Sequence, residues 1–233
     1  MISILCPTRK RPNNMETLCS SIKKTSFYDE LEIIFYIDND DVLSQDKVRY
    51  LFDIYGDTIK YVIGDRILFS QMWNVCYDRC VGDIIMYCAD DVVFRTTNWD
   101  CQILEIFKQY NDKITLVYGR DGIQDSVLAT HGFIHRSWVE VCGYLFPPYF
   151  SSDWSDSWLH HIARNINRLH YTPDLYFEHA HCSNGKSILD DTYRERMDRG
   201  AVDKVDVLFS NTIQERLQSS KMLQSYIDKV KNV

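Results

Sequence analysis

Acidic residues follow two apolar segments that have the composition of buried β-strands. Asp38 follows residues 31–37, and the pair Asp90-Asp91 follows residues 84–89, the longest apolar run in the chain. Two carboxylates at the edge of an apolar core are unfavourable unless another group compensates their charge. Carboxylate oxygens are the ligands that Mg²⁺ and Mn²⁺ prefer. The sequence therefore predicts a site for a hard divalent cation where these segments end.

Basic residues follow two further apolar segments. Arg9-Lys10-Arg11 comes after residues 2–6, and Arg66 comes after residues 59–63. Guanidinium groups beside a cation site favour a phosphate ligand, so the two sets of residues together predict a metal–nucleotide complex. The chain has no GxxxxGK[ST], GxGxxG or GxSxG motif, which disfavours a P-loop NTPase, a dinucleotide-dependent dehydrogenase and an α/β-hydrolase.

The elements that position these residues alternate between strand and helix patterns over residues 1–118. This alternation predicts an α/β fold with a mainly parallel sheet flanked by helices. In such sheets ligands bind beyond the carboxyl ends of the strands, where the charged residues lie. Farther along, the patterns predict strands at residues 127–135 and 175–181, a helix at 153–164 and a long helix over 203–232.

Composition limits the class of protein. The chain of 233 residues has 26 Lys and Arg against 33 Asp and Glu, a net charge of −7, which argues against binding nucleic acid mainly by charge. No apolar run approaches the roughly 20 residues that span a bilayer, so we expect no membrane association. The basic cluster follows the apolar N-terminal segment, the reverse of a secretory signal, so we expect a cytoplasmic protein with reduced cysteines.

Five motifs, met in order over residues 1–200, resemble GT-A glycosyltransferases of the family 2 type. The last of them is similar to short stand-alone phage-encoded members. The motifs are residues 2–12, residues 36–40, Trp73-Asn74 with residues 82–92, residues 153–159, and residues 178–181 with Gly185-Lys186.

The resemblance implies a GT-A (Rossmann-like) domain over residues 1–200, with residues 201–233 as a C-terminal helical extension packed on it. It implies a metal-dependent transfer of a sugar from a nucleoside-diphosphate-sugar, taken as a UDP-sugar, to a hydroxyl acceptor. Asp91 would bind Mn²⁺ or Mg²⁺ together with His179 or His181. The residues implied in binding the nucleotide-sugar are Pro7, Thr8, Arg9, Arg11, Asp38, Arg66, Asn74, Asp90 and Lys186.

An acceptor hydroxyl needs a base within hydrogen-bond reach, and the resemblance points to Asp153 and Asp156. The two residues are three positions apart, so within a helix they would share a face. An alternative for Asp153 is that it caps this helix. An enzyme that retains the anomeric configuration would need neither residue as a base.

Other questions stay open at this point. The acceptor could be a hydroxymethylated pyrimidine in phage DNA, in which case the protein would act in the host cytoplasm, or a glycan or small molecule. The alternative functions are a nucleotidyltransferase, which also uses a metal and carboxylates, and a non-catalytic module that binds nucleotide-sugars or nucleic acid. The protein could be a monomer, or a homodimer formed through the C-terminal helix.

Overall fold

The computed structural model describes residues 1–232, and they form one eight-stranded mixed sheet with helices on both faces. The strands are β1 (Ile2–Thr8), β2 (Leu31–Asp38), β3 (Ile59–Gly64), β4 (Ile84–Tyr87), β5 (Val92–Phe94), β6 (Leu116–Arg120), β7 (Gly132–His135) and β8 (Leu169–His179). The α-helices are α1 (Pro12–Thr25), α2 (Val42–Tyr55), α3 (Phe69–Tyr77), α4 (Trp99–Lys108), α5 (Arg136–Cys142), α6 (Ser155–Asn165), α7 (Asp191–Asp203), α8 (Val205–Asn211) and α9 (Ile213–Lys231).

The strand order is β3-β2-β1-β4-β7-β6-β8-β5. Strands β3, β2, β1 and β4 are parallel, β7 is antiparallel to both of its neighbours, and β6 is parallel to β8. The α/β class is therefore confirmed, with a parallel half and a mixed half. Because β7 is antiparallel to both β4 and β6, these two strands run in the same direction and end at the same edge of the sheet.

The sheet separates two hydrophobic cores. Every residue of β1 and β2 is buried, as expected for strands covered on both faces. Alternate side chains point to opposite faces, so Leu5 and Ile34 lie in one core and Ile4 and Ile33 in the other. Of the charged residues in β1 and β2, Glu32 is buried near the start of β2, where it pairs with Lys60, and Asp38 lies at the end of β2.

The C-terminal region differs from the single long helix predicted over residues 203–232. Two helices, α8 and α9, take its place: α7 ends at Asp203, Lys204 adopts a left-handed conformation (φ 50°), and Thr212 separates α8 from α9. Leu223 and Ile227 of α9 are buried in the core that also contains Trp158 of α6. None of the helices in residues 1–232 combines the length and apolar composition needed to cross a bilayer.

Candidate functional site

A pocket of about 170 Å³ lies at the carboxyl ends of β1, β2 and β4, between the sheet and helices α6 and α7. It gathers most of the residues that the sequence predicts for a site. Those that line it are Pro7, Thr8, Arg9, Arg11, Asp38, Arg66, Asp90, Asp91, Asp153, Asp156, His179 and His181.

Two of the residues implied in donor binding do not line this pocket. Both amide atoms of Asn74 bond to the backbone of Phe146, at 2.7 and 3.0 Å, and so tie α3 to the following loop. The Lys186 ammonium contacts the carboxylate of Glu178 and the hydroxyl of Tyr176. In this structure the polar groups of Asn74 and Lys186 therefore hold neighbouring elements of the fold.

Asp90 is a buried carboxylate with partners from the first loop. Its oxygens accept hydrogen bonds from the Thr8 hydroxyl at 2.7 Å and from an Arg11 nitrogen at 3.2 Å. Burial raises the pKa of Asp90 to about 6, although the Arg11 guanidinium opposes the shift. The shift has this sign because burial disfavours the charged form of a carboxyl group.

Asp91 is next to Asp90 in sequence but faces a histidine. Strands β5 and β8 pair antiparallel with Val92 opposite His179, and this register brings His179 Nε2 to 3.3 Å from Asp91 Oδ1. Burial would raise the pKa of Asp91, but the His179 imidazole and the Arg11 guanidinium together outweigh burial and lower the pKa to about 2. Asp91 is thus held as an anion at neutral pH.

His181 lies beside His179 but plays a different structural part. The strand predicted to run to residue 181 ends at His179, so the two side chains do not alternate along one strand as expected. His181 Nδ1 accepts a hydrogen bond from the Ser183 backbone N–H at 3.2 Å and starts a turn. Its ring lies 4.9 Å from the His179 ring, and His179 is the histidine that contacts Asp91.

Asp38 binds two arginines at the end of β2. One of its oxygens accepts a hydrogen bond from Arg9 at 2.9 Å and another from Arg66 at 2.7 Å. The second oxygen, Oδ1, is buried and has no hydrogen-bond partner within residues 1–232. A buried acceptor without a partner is unfavourable, so Asp38 offers a place where a ligand's N–H or hydroxyl group can donate.

Asp153 and Asp156 lie in different environments. Helix α6 begins at Ser155 and has no side-chain cap, so the alternative that Asp153 caps it is wrong, and the two carboxylates do not share a helical turn. Asp153 is exposed and pairs with Arg196 at 2.9 Å. Asp156 is partly buried, and burial raises its pKa to about 6 against a hydrogen bond from the Ser157 backbone.

Helix α7 covers the pocket and was missed by the sequence interpretation. Asp190, directly before α7, forms two bonds to Arg11 at 2.7 and 2.9 Å. Glu195 pairs with Arg9 at 3.1 Å and with Arg66 at 3.3 Å. The signal was weak, because α7 buries only Gly200 and therefore shows no apolar periodicity. The local sequence signal for the start of α7 was Asp190, whose side chain caps the helix.

Asp121 and His131 were also missed. Asp121 follows β6 at the same sheet edge as Asp90. The strand pattern was predicted to stop at residue 118, so the strand-end argument was not applied to Asp121. His131 lines the pocket, and its ring packs edge-on against that of His179 with centroids 4.8 Å apart. Burial lowers the pKa of His131 to about 3, which keeps this ring neutral.

A divalent cation fits this arrangement only in part. Asp91 Oδ1 is buried and makes no hydrogen bond within residues 1–232, while a histidine nitrogen lies 3.3 Å away. Across the same residues, no three His, Cys, Asp or Glu side chains converge as a complete metal site. Asp91 and His179 could therefore hold a cation together with oxygens supplied by a ligand.

The sequence matches no protein-family model and no curated protein. Solved structures do match. The mannosyltransferase PcManGT from Pyrobaculum calidifontis, in complex with GDP-Man and Mn²⁺, has a TM-score of 0.69 and 13% identity over 98% of this chain and 73% of that one. GalNAc-T7 with UDP, GalNAc and Mn²⁺ has a TM-score of 0.62 and 12% identity over 77% of this chain and 43% of that one.

A third match is S. aureus TarS 1–349 in complex with UDP, with a TM-score of 0.59 and 14% identity over 76% of this chain. The chain spans 59% of that structure and 36% of the longer TarS structure. At these identities the similarity establishes the fold, and the chain has the GT-A (Rossmann-like) fold of these structures.

Proposed function

We propose that this protein is a metal-dependent glycosyltransferase that moves a sugar from a nucleoside-diphosphate-sugar to a hydroxyl acceptor. The observation that carries the proposal is the contact between Asp91 and His179 at 3.3 Å. The same pocket contains Asp38 with the two arginines bonded to it, Arg9 and Arg66. Acidic and basic groups are thus combined at one strand edge, which is what a cation–diphosphate ligand requires.

On this proposal, Asp91 and His179 hold Mn²⁺ or Mg²⁺ together with the donor's phosphates. The cation, when bound, stabilises the negative charge that develops on the departing nucleoside diphosphate. Asp38 receives the base or ribose through its free oxygen. Arg11 pairs with Asp90 and Asp190 beside the cation site. On this proposal its guanidinium group binds the diphosphate of the donor.

Asp156 is the better candidate for the acceptor base. It lines the pocket and its pKa is about 6, and a base works best when its pKa lies near the operating pH. Asp153 is exposed and paired with Arg196, so we assign it to holding α7 against the loop before α6. A base at Asp156 implies inversion at the anomeric carbon, which the configuration of the product tests.

The proposal extends to the donor base and the acceptor. A UDP-sugar donor is favoured by the UDP bound in two of the similar structures, whereas the third binds GDP-Man. A hydroxymethylated pyrimidine in phage DNA is our proposal for the acceptor, although the net charge of −7 offers it no general attraction. Transfer from a radiolabelled UDP-sugar to DNA with and without the hydroxymethyl group, compared with simple glycans, tests both assignments.

Nucleotide binding is the first experiment. A thermal-shift panel of nucleotides and nucleotide-sugars, with and without Mn²⁺, should show stabilisation that requires the metal. A ligand at 100 times its Kd contributes about 2.7 kcal/mol, which is readily detected. Asp91→Ala should abolish the shift and the control Asp153→Ala should retain it. Stabilisation that does not depend on metal or on Asp91 would contradict the proposal.

The product of turnover separates the alternative functions. A glycosyltransferase releases a nucleoside diphosphate, whereas a nucleotidyltransferase releases pyrophosphate. A binding module would bind the nucleotide-sugar, release neither product with any acceptor, and keep its affinity in Asp91→Asn. Slow hydrolysis of the donor to a nucleoside diphosphate, measured without acceptor, is the outcome that the transferase proposal expects.

A further inference from the structure

Asp121 is a buried carboxylate outside the group of residues assigned above. It follows β6, and only 6% of its side chain is exposed. Its Oδ1 accepts three backbone hydrogen bonds, from Ile123, Gln124 and Asp125, at 2.7 to 2.9 Å. These bonds fix the carboxylate in one orientation, because rotating it would leave three N–H groups without their acceptor.

The fixed orientation points the other oxygen at His179. Asp121 Oδ2 lies 3.9 Å from His179 Nδ1, and neither atom has a hydrogen-bond partner within residues 1–232. The two backbones are joined as well, since the His179 N–H donates to the Asp121 carbonyl at 2.9 Å. Two buried polar atoms without partners thus face each other across a gap slightly too long for a hydrogen bond.

The other nitrogen of the same ring faces Asp91. His179 Nε2 is 3.3 Å from Asp91 Oδ1, so the imidazole stands between two carboxylates. The His131 ring, edge-on at 4.8 Å, limits how far the imidazole can turn. When a histidine binds a metal through one nitrogen, a carboxylate on the other nitrogen sets its tautomer and orientation and increases its basicity.

We propose that Asp121 is a positioning residue that holds a proton on His179 Nδ1 and leaves Nε2 free to bind the divalent cation beside Asp91. This hydrogen bond requires Nδ1 and Asp121 Oδ2, which are 3.9 Å apart, to approach to about 3 Å. The inference rests on the proposed function, since His179 needs this orientation as a cation ligand. The Thr130 hydroxyl, also buried without a partner, is the competing donor to Asp121.

The first test needs no ligand and uses a variant only to assign the spectrum. ¹⁵N NMR of histidine-labelled wild-type protein, recorded at a pH where the His179 ring is neutral and assigned by comparison with a His179→Gln spectrum, should show the proton on Nδ1 and none on Nε2 in the metal-free state. An unprotonated Nδ1 overturns the proposal, because Asp121 would then be satisfied by another donor such as Thr130. This result is independent of whether any nucleotide binds.

The second test measures Mn²⁺ affinity by the electron paramagnetic resonance of free Mn²⁺ in the presence of UDP. Asp121→Asn can keep the three backbone bonds through its amide oxygen but presents an N–H group to Nδ1. We expect roughly 10–100-fold weaker Mn²⁺ binding, the usual cost of losing the partner of a metal-ligating histidine. The matched control is Asp125→Asn, in the same loop, whose Oδ1 accepts the Asp121 and Gly122 N–H groups.

Asp125 has φ 47°, which asparagine tolerates, so the control should fold and bind Mn²⁺ as the wild type does. Equal Mn²⁺ affinity in Asp121→Asn and wild type overturns the positioning role. If wild-type protein does not bind Mn²⁺ with any nucleotide, the proposed function fails, and the NMR result alone decides whether Asp121 orients His179. If Asp121→Asn does not fold, NMR of the wild type again decides.

Discussion

Two carboxylate pairs line the pocket, Asp90 with Asp91 and Asp153 with Asp156, and their members behave differently. Burial raises the pKa of Asp90 and of Asp156 to about 6, whereas the His179 imidazole and the Arg11 guanidinium lower that of Asp91 to about 2. Asp153 is exposed and pairs with Arg196 at the surface. Sequence adjacency therefore says little about the chemistry of a carboxylate, which depends on how deeply it is buried and on the group that it faces.

The largest effect should come from Asp156→Asn, which removes the proposed base without changing the size of the side chain. We expect sugar transfer to fall by roughly 10²–10⁴-fold, the usual contribution of general acid–base catalysis. The rate under saturating donor and acceptor checks this. Unchanged donor affinity in the same variant shows that the loss lies in the chemical step, and full activity would remove Asp156 from the mechanism.

Asp91→Asn should weaken Mn²⁺ binding by at least about 100-fold, since loss of a ligand costs no less than loss of a residue that orients a ligand. The measurement is a Mn²⁺ titration in the presence of UDP. Asp90→Asn is the comparison variant and should weaken Mn²⁺ binding less, because Asp90 bonds to Thr8 and Arg11 rather than to His179. Equal losses in the two variants would show that the pair acts as one site.

The rate of transfer should depend on pH in the direction set by Asp156. A carboxyl with a pKa of about 6 is protonated below that value and cannot accept the proton of the hydroxyl. We therefore expect the rate to fall about tenfold per pH unit below pH 6 and to level off above pH 7. A profile that stays flat from pH 5 to 8 would contradict this assignment.

Asp153→Asn should have the smallest effect. Its partner Arg196 is 2.9 Å away, but Asp153 is exposed and Arg196 is only half-buried, and ion pairs near the surface contribute about 0–1 kcal/mol. We expect a change in rate of less than about fivefold and almost no change in Tm. If Asp153→Asn lowers the transfer rate as much as Asp156→Asn does, both carboxylates take part in the reaction and the distinction drawn between them is wrong.

The strand ends could be predicted because β1, β2 and β4 are mainly apolar segments. The same argument located Asp38, Asp90 and Asp91, since a parallel sheet collects such residues at one edge. It did not place Asp121, because the strand pattern was predicted to stop at residue 118, whereas β6 runs to Arg120 and Asp121 follows it directly. Helix α7 was not predicted because ion pairs, rather than an apolar face, hold it against the rest of the fold.

Motif resemblance has a different limit. It identifies a stretch of chain that belongs near a site, but not the side chain within it that points there. Asn74 lies in such a stretch, yet its amide is bonded to the backbone of Phe146. Lys186 lies beside His181, yet its ammonium contacts Glu178. In both cases the local hydrogen-bond geometry, which a motif does not encode, decides where the polar group goes.

Helix α7 has one more consequence. Arg9, Arg11 and Arg66 are each already paired with Glu195 or Asp190 before a ligand arrives. A diphosphate that takes these guanidinium groups must displace the carboxylates, so nearly as many charge contacts are broken as are made. Such an exchange releases few counterions, and its equilibrium therefore responds weakly to ionic strength. Discrimination among anionic ligands then depends on the shape and hydrogen bonding of the parts that carry no charge.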